Sequence, residues 1–415
     1  MRTRCAGSVF LPYSPLAGVI LSEQRRCTLE GERAYLVPDY FPEFHCKMGA
    51  CRRPCCEGWP VSITMTDYFR LIGLDCSQEL RRRLDCCLHI APHPSPEAYA
   101  QITPRYDGHC PLHMEDGRCA LHAELGEGVL AAVCRLYPRG ARTGEFHECS
   151  CANSCEAVPE LLLHRDAPLR FINVPLAPGL PEAPVRRHDF HTEGREQEIR
   201  LWLISFLQRR DFPLSRRMLH LGNALHAMDD ALQARDSARV AALLDHSERI
   251  HVPEMPVPDH AQLEKGLRIA SRLLSIIDER SDSVRAYGET ALKRFTEGGF
   301  DHYQQASAQF EALVPQWQTW FEHLLVNHMF FVQFPFQDRP VPLKVEFLSL
   351  CAIYTLLRFL CLGCTPDCRT IDDVVDVVAA AFRLIDHTTF DRYAGAILTD
   401  AGCAELEDIR NILSL

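Results

Sequence analysis

The strongest constraint on this chain is the clustering of its cysteines. Thirteen of the twenty cysteines lie between Cys46 and Cys155, and four of them fall in the eleven residues from Cys46 to Cys56. Gly49 and Pro54 lie among these four and favour turns. Thiolates at this spacing are typical of a loop that binds a metal ion or an iron–sulfur cluster. The alternative is that the cysteines are buried as small apolar side chains, but the spacing of this run favours ligation.

Composition limits the class of protein. With 415 residues and 47% apolar side chains, the chain can bury a large core and form two or three domains. A net charge of −11 argues against a broad surface for nucleic acid or anionic membranes, because such partners require a basic field. We find no 18-residue apolar stretch, and Val9 to Leu21 is interrupted by prolines. The sequence therefore predicts a cytoplasmic protein without nucleic-acid or membrane partners. It does not predict the oligomeric state.

A disulfide-rich secreted fold is a second interpretation of twenty cysteines. Such scaffolds are usually short chains with small cores, whereas this chain has ample apolar surface. The adjacent pairs Cys55-Cys56 and Cys86-Cys87 are also poorly suited to disulfides between neighbours, because a vicinal bridge strains the peptide. We therefore expect free thiols that are available as ligands.

The domain organisation follows from the prolines and from hydrophobic periodicity. Residues 173–184 hold four prolines and cannot sustain a helix. Beyond them apolar residues recur at helical spacing, as in Leu214, Met218, Leu221 and Leu225. The predicted segments are an N-terminal extension (1–34), a cysteine-cluster metal or Fe-S domain (35–172), a proline-rich linker (173–190) and a helical domain (191–415).

The predicted fold class is mainly α: a loop-rich N-terminal cysteine-cluster metal-binding domain followed by an all-helical C-terminal domain. Short helices are expected after Thr66 and around Glu79 to Leu88, and few segments alternate as strands do. In the C-terminal part Thr370 with Asp373 predicts a capping box at the start of a helix. Further helices are expected at Gln262 to Glu279, Tyr303 to Leu313, Trp317 to Val332, Leu343 to Leu362 and Ile371 to Ile385.

A second cysteine block follows the first. Cys110 and Cys119 flank Glu115-Asp116-Gly117, a turn signal that predicts a tight loop with both thiols turned inward. Cys134 is followed by Arg135, whose charge would lower a thiol pKa or offset the charge of a cluster. Cys149 and Cys151 are additional candidate ligands. More than four candidates exceed one tetrahedral site, and the sequence does not divide them between one site and two.

Other cysteines and histidines are weaker candidates. For Cys76, Cys86 and Cys87 a buried, unreactive role is favoured. Cys361, Cys364 and Cys368 could form a second site, but a fourth ligand is not evident. Each nearby histidine, taken alone, is more typical of a solvated or capping side chain than of a ligand. These histidines are His45, His109, His113, His122 and His147.

The order and spacing of these motifs resemble the flagellin lysine-N-methylases, whose N-terminal part is similar to zinc- or iron-chelating cysteine-cluster domains. The resemblance covers about residues 36–170. It rests on Phe44-His45-Cys46-x4-Cys51-x3-Cys55-Cys56-x-Gly58-Trp59, Cys110-Pro111-Leu112, Gly117-Arg118-Cys119, Leu125-Gly126-Glu127, Cys134-Arg135-x-Tyr137-Pro138-Arg139 and Ser154-Cys155-Glu156-Ala157.

The resemblance implies a bacterial enzyme that methylates lysine ε-amines of flagellin with S-adenosylmethionine and depends on a cysteine-bound iron–sulfur cluster, of the four-iron type, or on zinc. It implies no catalytic or cofactor-binding residue, so these stay unassigned. A non-catalytic zinc- or iron-chelating or redox module with a helical partner-binding domain is the alternative. The implied metal ligands are Cys46, Cys51, Cys55, Cys56, Cys110, Cys119, Cys134 and Cys155.

Overall fold

A computed structural model provides the structure of this chain. It describes residues 33–57, 61–143, 146–176, 188–246, 254–276, 282–337 and 341–415. Gly58 and Trp59, nearly all of the predicted N-terminal extension with Cys5 and Cys27, and residues 177–187 of the predicted linker lie outside this range.

Two sheets form in the N-terminal part. The first is four-stranded, in the order β5-β6-β1-β7, with β1 parallel to β6 and antiparallel to β7; the second is three-stranded, in the order β2-β4-β3. The strands are β1 (Arg33–Pro38), β2 (Val61–Ile63), β3 (Leu88–Ile90), β4 (Ala100–Ile102), β5 (Arg139–Thr143), β6 (His147–Cys151) and β7 (Phe171–Leu176).

The expectation of a loop-rich domain with few strands thus missed these sheets. The strands of the second sheet have three residues each, too few to show an alternating pattern. In β6 four successive residues are buried, so polar and apolar positions do not alternate there. Asn173 to Leu176, the first residues of the predicted linker, pair with β1 as part of β7.

The mainly α fold class is confirmed. Five short helices lie in the N-terminal part, and in the described residues from 188 onward every regular element is helical. The N-terminal helices are α1 (Met65–Ile72), α2 (Gln78–Cys87), α3 (Ala120–Leu125), α4 (Ala132–Leu136) and α5 (Ala157–Leu163). The later ones are α6 (Glu196–Leu207), α7 (Leu214–Gln233), α8 (Ser237–Asp245), α9 (His260–Leu274), α10 (Asp282–Leu313), α11 (Trp317–Phe331), α12 (Leu343–Cys364), α13 (Ile371–His387), α14 (Phe390–Asp400) and α15 (Leu406–Leu413).

The local signals for the long helices are confirmed. The apolar stripe of α7, including Leu214, Met218 and Leu221, is buried as the spacing predicted. At the start of α13 the Asp373 carboxylate accepts the backbone N–H of Thr370 at 2.9 Å, the expected capping box. Only α10 is irregular, because Gly299 at φ +59° joins two helical halves across a kink.

Two apolar cores divide the structure. The larger core joins the C-terminal helices to the four-stranded sheet, so Leu36 and Phe171 pack in the same cluster as Phe321 of α11. The smaller core lies under the three-stranded sheet and includes Leu71 and Leu112. The cysteine-bearing segments between residues 57 and 135 therefore form a small lobe beside a large helical body.

Helix α11 connects the body to the segment that carries Cys155. The Trp320 indole N–H donates to the Pro159 carbonyl at 2.9 Å, and the Asn153 side-chain amide donates to the Leu324 carbonyl at 2.9 Å. Asn327 accepts the Tyr40 hydroxyl at 2.7 Å. Because these groups are buried, the bonds orient residues 151–159 against a rigid helix.

The expectation that the chain has no 18-residue apolar stretch is wrong for one helix. The segment Leu343–Asp367, which contains α12, is long and apolar enough by composition to cross a membrane. In this structure, however, 94% of its apolar window is buried by the rest of the chain. Its length and composition therefore fit the central helix of the core.

Candidate metal and cofactor site

Seven of the eight cysteines implied as ligands line one cavity. The cavity has a volume of about 570 Å³, within the usual range of small-molecule sites. Its wall combines apolar side chains from the small core with polar groups such as His122, Arg135 and Tyr137. The lining cysteines are Cys46, Cys51, Cys55, Cys56, Cys110, Cys119 and Cys134.

The loop from Cys46 to Cys56 is held in place by Glu156. This carboxylate is buried and accepts the backbone N–H of Arg52 at 3.0 Å and that of Arg53 at 2.8 Å. It also accepts a hydrogen bond from Lys47 Nζ at 2.8 Å. Glu156 follows Cys155 directly. The turn before α5 therefore carries both the last implied ligand and the carboxylate that holds the loop of the first four implied ligands.

Further charged side chains surround the Glu156 carboxylate. Arg52 forms ion pairs with Glu160 on α5, at 2.8 Å, and with Asp376 on α13, at 2.9 Å. Arg383 of α13 donates to the Pro54 carbonyl at 3.2 Å. The first cysteine loop is therefore fixed to two helices of the body, and most of the rest of the cavity wall belongs to the small lobe.

The Cys110 to Cys119 segment forms the predicted tight turn, with both thiols on the cavity wall. Within the turn the Gly117 N–H donates to the Met114 carbonyl at 3.0 Å. Gly117 has φ +84°, and a Cβ built there would lie 2.2 Å from the Gly49 carbonyl oxygen. The turn and the first cysteine loop thus touch at two glycines, because no side chain fits between them.

Cys134 lies on α4, which is attached to α1. The Asp67 carboxylate accepts the backbone N–H of Ala132 at 2.8 Å and a hydrogen bond from Arg70 at 2.7 Å. Arg70 also donates to the Leu130 carbonyl at 2.8 Å. These bonds position the backbone immediately before Cys134.

Burial raises the pKa of several thiols in and near the cavity. It raises the pKa of Cys51 to about 11 and that of Cys110 to about 11, and neighbouring thiols add to both effects. Cys155 lies outside the cavity lining, but burial raises its pKa to about 12, with further contributions from the charges of Cys55 and Cys51. In the absence of a cation these groups are neutral thiols at pH 7.

Cys55 is the exception. A hydrogen bond donated by Cys56 stabilises the Cys55 thiolate and lowers its pKa to about 7, and the charge of Arg383 acts in the same direction. The pKa of Cys56 is raised correspondingly. This adjacent pair therefore favours the thiolate form of Cys55 and the thiol form of Cys56.

The donor set fits a thiophilic metal or cluster. Sulfur is the preferred ligand of zinc and of iron–sulfur clusters, and a bound cation would reverse the raised thiol pKa values by stabilising thiolates. Among the described residues, no three His, Cys, Asp or Glu side chains already converge as a metal-ligand group. The sulfurs line the wall of a shared cavity and would have to turn toward a bound group.

The remaining sequence candidates lie elsewhere. Cys149 and Cys151 are buried in the large core, and Cys87 is buried in the small one, as expected for it. Cys76 is half-buried, and Cys86 is exposed, so the buried role expected for Cys86 is wrong. Cys361 and Cys364 are buried in α12, and the Cys368 thiol donates to the Cys364 carbonyl at 3.3 Å. None of these eight lines the cavity, and the eighteen cysteines of the described range are all free of disulfides.

The candidate histidines lie in different parts of the structure. His45, His113 and His122 line the cavity. His109 stacks on His113, with ring centroids 5.0 Å apart, and His147 packs against Tyr35. Burial lowers the pKa of His113, which keeps its imidazole neutral near pH 7.

Two features of the site were missed by the sequence analysis. Glu156 was noted only as part of a motif, although its position after Cys155 was the available signal. Tyr137 begins a hydrogen-bonded chain: its hydroxyl lies 3.1 Å from Ser154 Oγ, which lies 2.8 Å from His387 Nε2. No local pattern connects His387 to residues more than 230 positions earlier in the chain.

A family model described as the FliB lysine N-methylase C-terminal domain matches residues 200–411, just over half of the chain. Two curated relatives named lysine-N-methylase match over 156 residues: one from Salmonella typhimurium (strain LT2) at 25% identity and one from Salmonella choleraesuis (strain SC-B67) at 26%.

Each of these matches covers 37% of this chain and 36% of the relative, so the chain spans about a third of the length of the curated relatives it matches. No solved structure matches. The family match runs from α6 into α15 and thus covers the helical body. By that match, the chain belongs to the FliB lysine N-methylase family.

Proposed function

We propose that this protein is a protein-lysine N-methyltransferase that uses S-adenosylmethionine and acts on flagellin. The observation that carries the proposal is the cavity: a chain of the lysine N-methylase family gathers seven cysteines around a space large enough for a small-molecule ligand. A non-catalytic chelating module would need a metal site but no cavity of this size.

The proposal includes an iron–sulfur cluster held by thiolates of the cavity and Cys155. A structural zinc site is closed by four ligands, and seven sulfurs around an open space are more than such a site requires. Arg135 and Arg139 also line the cavity and would offset the negative charge of a thiolate-bound cluster. When bound, the cluster would supply an iron atom that can hold the amino and carboxylate groups of the methyl donor.

The protein's own residues would supply orientation and exclusion of water. Methyl transfer is a displacement in which the neutral lysine nitrogen attacks the methyl carbon as the carbon–sulfur bond of the donor breaks. Leu71, Leu112 and Leu130 form part of an apolar wall around the reacting groups. Such a wall favours the uncharged amine over the ammonium ion and strengthens polar contacts within the cavity.

Flagellin as the substrate is part of the proposal and is supported by the family's name. The net charge of −11 favours encounter with a lysine-bearing protein surface. We also propose that the protein works in the cytoplasm, without nucleic-acid or membrane partners.

The test uses full-length protein purified without oxygen. Iron, sulfide and zinc are measured and an ultraviolet–visible spectrum is recorded; the protein is then incubated with flagellin and S-adenosylmethionine, and tryptic peptides are analysed by mass spectrometry. The expected result is stoichiometric iron and sulfide, visible absorbance and methylated lysines.

Three other results would contradict the proposal in different ways. Colourless, active protein with zinc rejects the cluster. Normal methyl transfer after complete metal removal rejects metal dependence. Bound iron with no methyl transfer to flagellin favours the chelating module.

A further inference from the structure

The cavity is connected to the protein surface by three side chains. Tyr137 lines the cavity, Ser154 is fully buried beside it, and His387 at the end of α13 has solvent-exposed surface. The Tyr137 hydroxyl oxygen lies 3.1 Å from Ser154 Oγ, and Ser154 Oγ lies 2.8 Å from His387 Nε2. Both distances are within hydrogen-bond range. The chain therefore runs without a gap from the cavity to a residue that reaches solvent.

We propose that Tyr137, Ser154 and His387 carry the proton of the substrate lysine out of the cavity. The inference rests on the proposed lysine methylation and assigns its missing proton acceptor. Free lysine has a pKa of about 10.4, so almost every substrate lysine enters as an ammonium ion and must lose a proton before its nitrogen can attack.

The two hydrogen bonds are compatible with proton transfer outward from the cavity. With His387 neutral and its proton on Nδ1, Ser154 donates to His387 Nε2 and Tyr137 donates to Ser154. A lone pair on the Tyr137 oxygen is then left to accept from the ammonium group. The lysine proton passes to Tyr137 as the Tyr137 proton passes to Ser154 and the Ser154 proton to His387, which releases it to water.

The transfer is balanced over a full turnover. The ammonium ion and the sulfonium donor become a methylated ammonium ion, a thioether and one proton, and that proton is the one that leaves through His387. No oxidant or reductant is required. Tyr137 is the catalytic residue of the three because it touches the amine, and Ser154 and His387 are positioning residues that act through it.

The electrostatic surroundings agree with these roles. Burial raises the pKa of Tyr137, so its hydroxyl stays neutral and transfers protons without accumulating charge. The His387 ring is packed against protein, which lowers its pKa; Asp386 raises that pKa and Arg383 lowers it. His387 is therefore neutral near pH 7 and able to accept a proton. The thiols of Cys155 and Cys55 raise the pKa of Tyr137 further, whereas the hydrogen bond with Ser154 and the charge of Arg383 lower it.

Two other imidazoles of the cavity wall are engaged elsewhere. His45 is bonded to the Glu43 carbonyl at 2.8 Å, and His113 is stacked on His109. Tyr137 differs because its hydroxyl leads through a buried serine to the partly buried ring of His387, a residue with solvent-exposed surface.

The test compares single-turnover methyl transfer by wild-type protein, Tyr137→Phe, Ser154→Ala and His387→Ala from pH 6.5 to pH 10. These pH limits bracket the pKa of about 10.4 of a free lysine. We expect each variant to be about 10²-fold slower than wild type at pH 7, as is typical for loss of a proton acceptor. The difference in rate between each variant and wild type should become smaller toward pH 10, where water removes the proton. The Km for flagellin should not change.

Added imidazole should restore His387→Ala in particular, because that position is exposed. Tyr106→Phe, at a fully exposed tyrosine outside the cavity lining, is the matched control and should behave as wild type. Metal content and thermal stability are measured for every variant to verify that the fold is intact.

Variants that match wild type at all pH values overturn the inference. So does a deficit that is equal at every pH and insensitive to imidazole, because that result indicates a purely structural role. A wild-type protein that transfers no methyl group overturns the proposed function and this inference with it, and is distinguished by the inactivity of the control.

Discussion

The Glu156 carboxylate accepts the backbone N–H of Arg53 at 2.8 Å, across more than a hundred residues of sequence. Glu156 follows Cys155, and Arg53 lies within the first cysteine loop. One buried carboxylate therefore determines where the loop lies relative to Cys155. It positions implied ligands without being one.

Replacing Glu156 by Gln should weaken both the fold and metal retention. The amide loses the ion pair with Lys47 and presents a donor where a backbone N–H needs an acceptor. The expected cost in the free energy of unfolding is about 2–4 kcal/mol, measured by denaturant titration. Bound iron per chain should fall in parallel.

Glu160→Gln is the control for that variant. Glu160 also pairs with Lys47 and Arg52, but its side chain is partly exposed and neither bond involves the backbone of the loop. Its cost should be below about 1 kcal/mol, with metal content unchanged. Equal effects of the two substitutions would show that Glu156 has no special role.

Gly117→Ala should separate the second cysteine turn from the first loop. An added Cβ would meet the Gly49 carbonyl oxygen at 2.2 Å, so one of the two segments must move. Gly108→Ala is matched to it, with φ +82° and no atom within 4 Å of the added Cβ. Backbone strain alone should lower the free energy of unfolding of Gly108→Ala by about 1 kcal/mol. The additional clash should lower that of Gly117→Ala by at least about 1 kcal/mol more.

Metal content should distinguish the two variants further. Only Gly117→Ala is expected to lose iron or zinc, as measured by elemental analysis of protein purified without oxygen. Equal metal content in both variants would mean that contact between the two segments is not needed to hold the metal.

Replacing cavity cysteines by Ser should reduce metal content, whereas replacing an outlying one should not. Cys51→Ser and Cys119→Ser remove sulfurs from the cavity wall, but Cys86→Ser changes an exposed residue outside it. Because metal binding stabilises the state that binds it, removal of the metal should lower the Tm of wild type and of Cys86→Ser. A Tm that is unaffected by chelation would argue against a resident metal.

The ionisation of Asp67 should make the free energy of unfolding depend on pH in the acid range. Burial opposes ionisation, but the Ala132 N–H and Arg70 outweigh it and lower the pKa of this carboxyl. A lowered pKa in the folded state stabilises the protein above the unfolded value of about 3.9, and this contribution is lost as pH falls through the folded value.

The Asp67→Asn variant provides the measurement. At pH 7 it should cost about 1–2 kcal/mol in the free energy of unfolding, and its difference from wild type should shrink below about pH 3.9. Glu79→Gln, at an exposed pair with Arg83, should cost less than about 0.5 kcal/mol. A difference that persists unchanged at pH 3 would assign the effect to packing instead of charge.

Local patterns were sufficient for the long helices and for the cysteine turn. The periodic stripe of α7, the capping box at Thr370 and the turn at Gly117 each depend on residues a few positions apart, and all three occur in the structure. Short strands gave no such signal, because β2, β3 and β4 are stabilised by pairing with one another across long loops.

The chain's cysteine spacing indicated a metal-binding cluster, since that spacing reflects what a thiophilic metal requires, and the resemblance to the flagellin lysine-N-methylases implied eight of the cysteines as ligands. It could not show that seven of them share one cavity while Cys149 and Cys151 enter the large core. Nor could it connect Glu156 to Arg53 or Tyr137 to His387. Those relationships depend on how α5, α11 and α13 pack against the cysteine loop, and packing between distant segments is set by the whole core instead of by any local pattern.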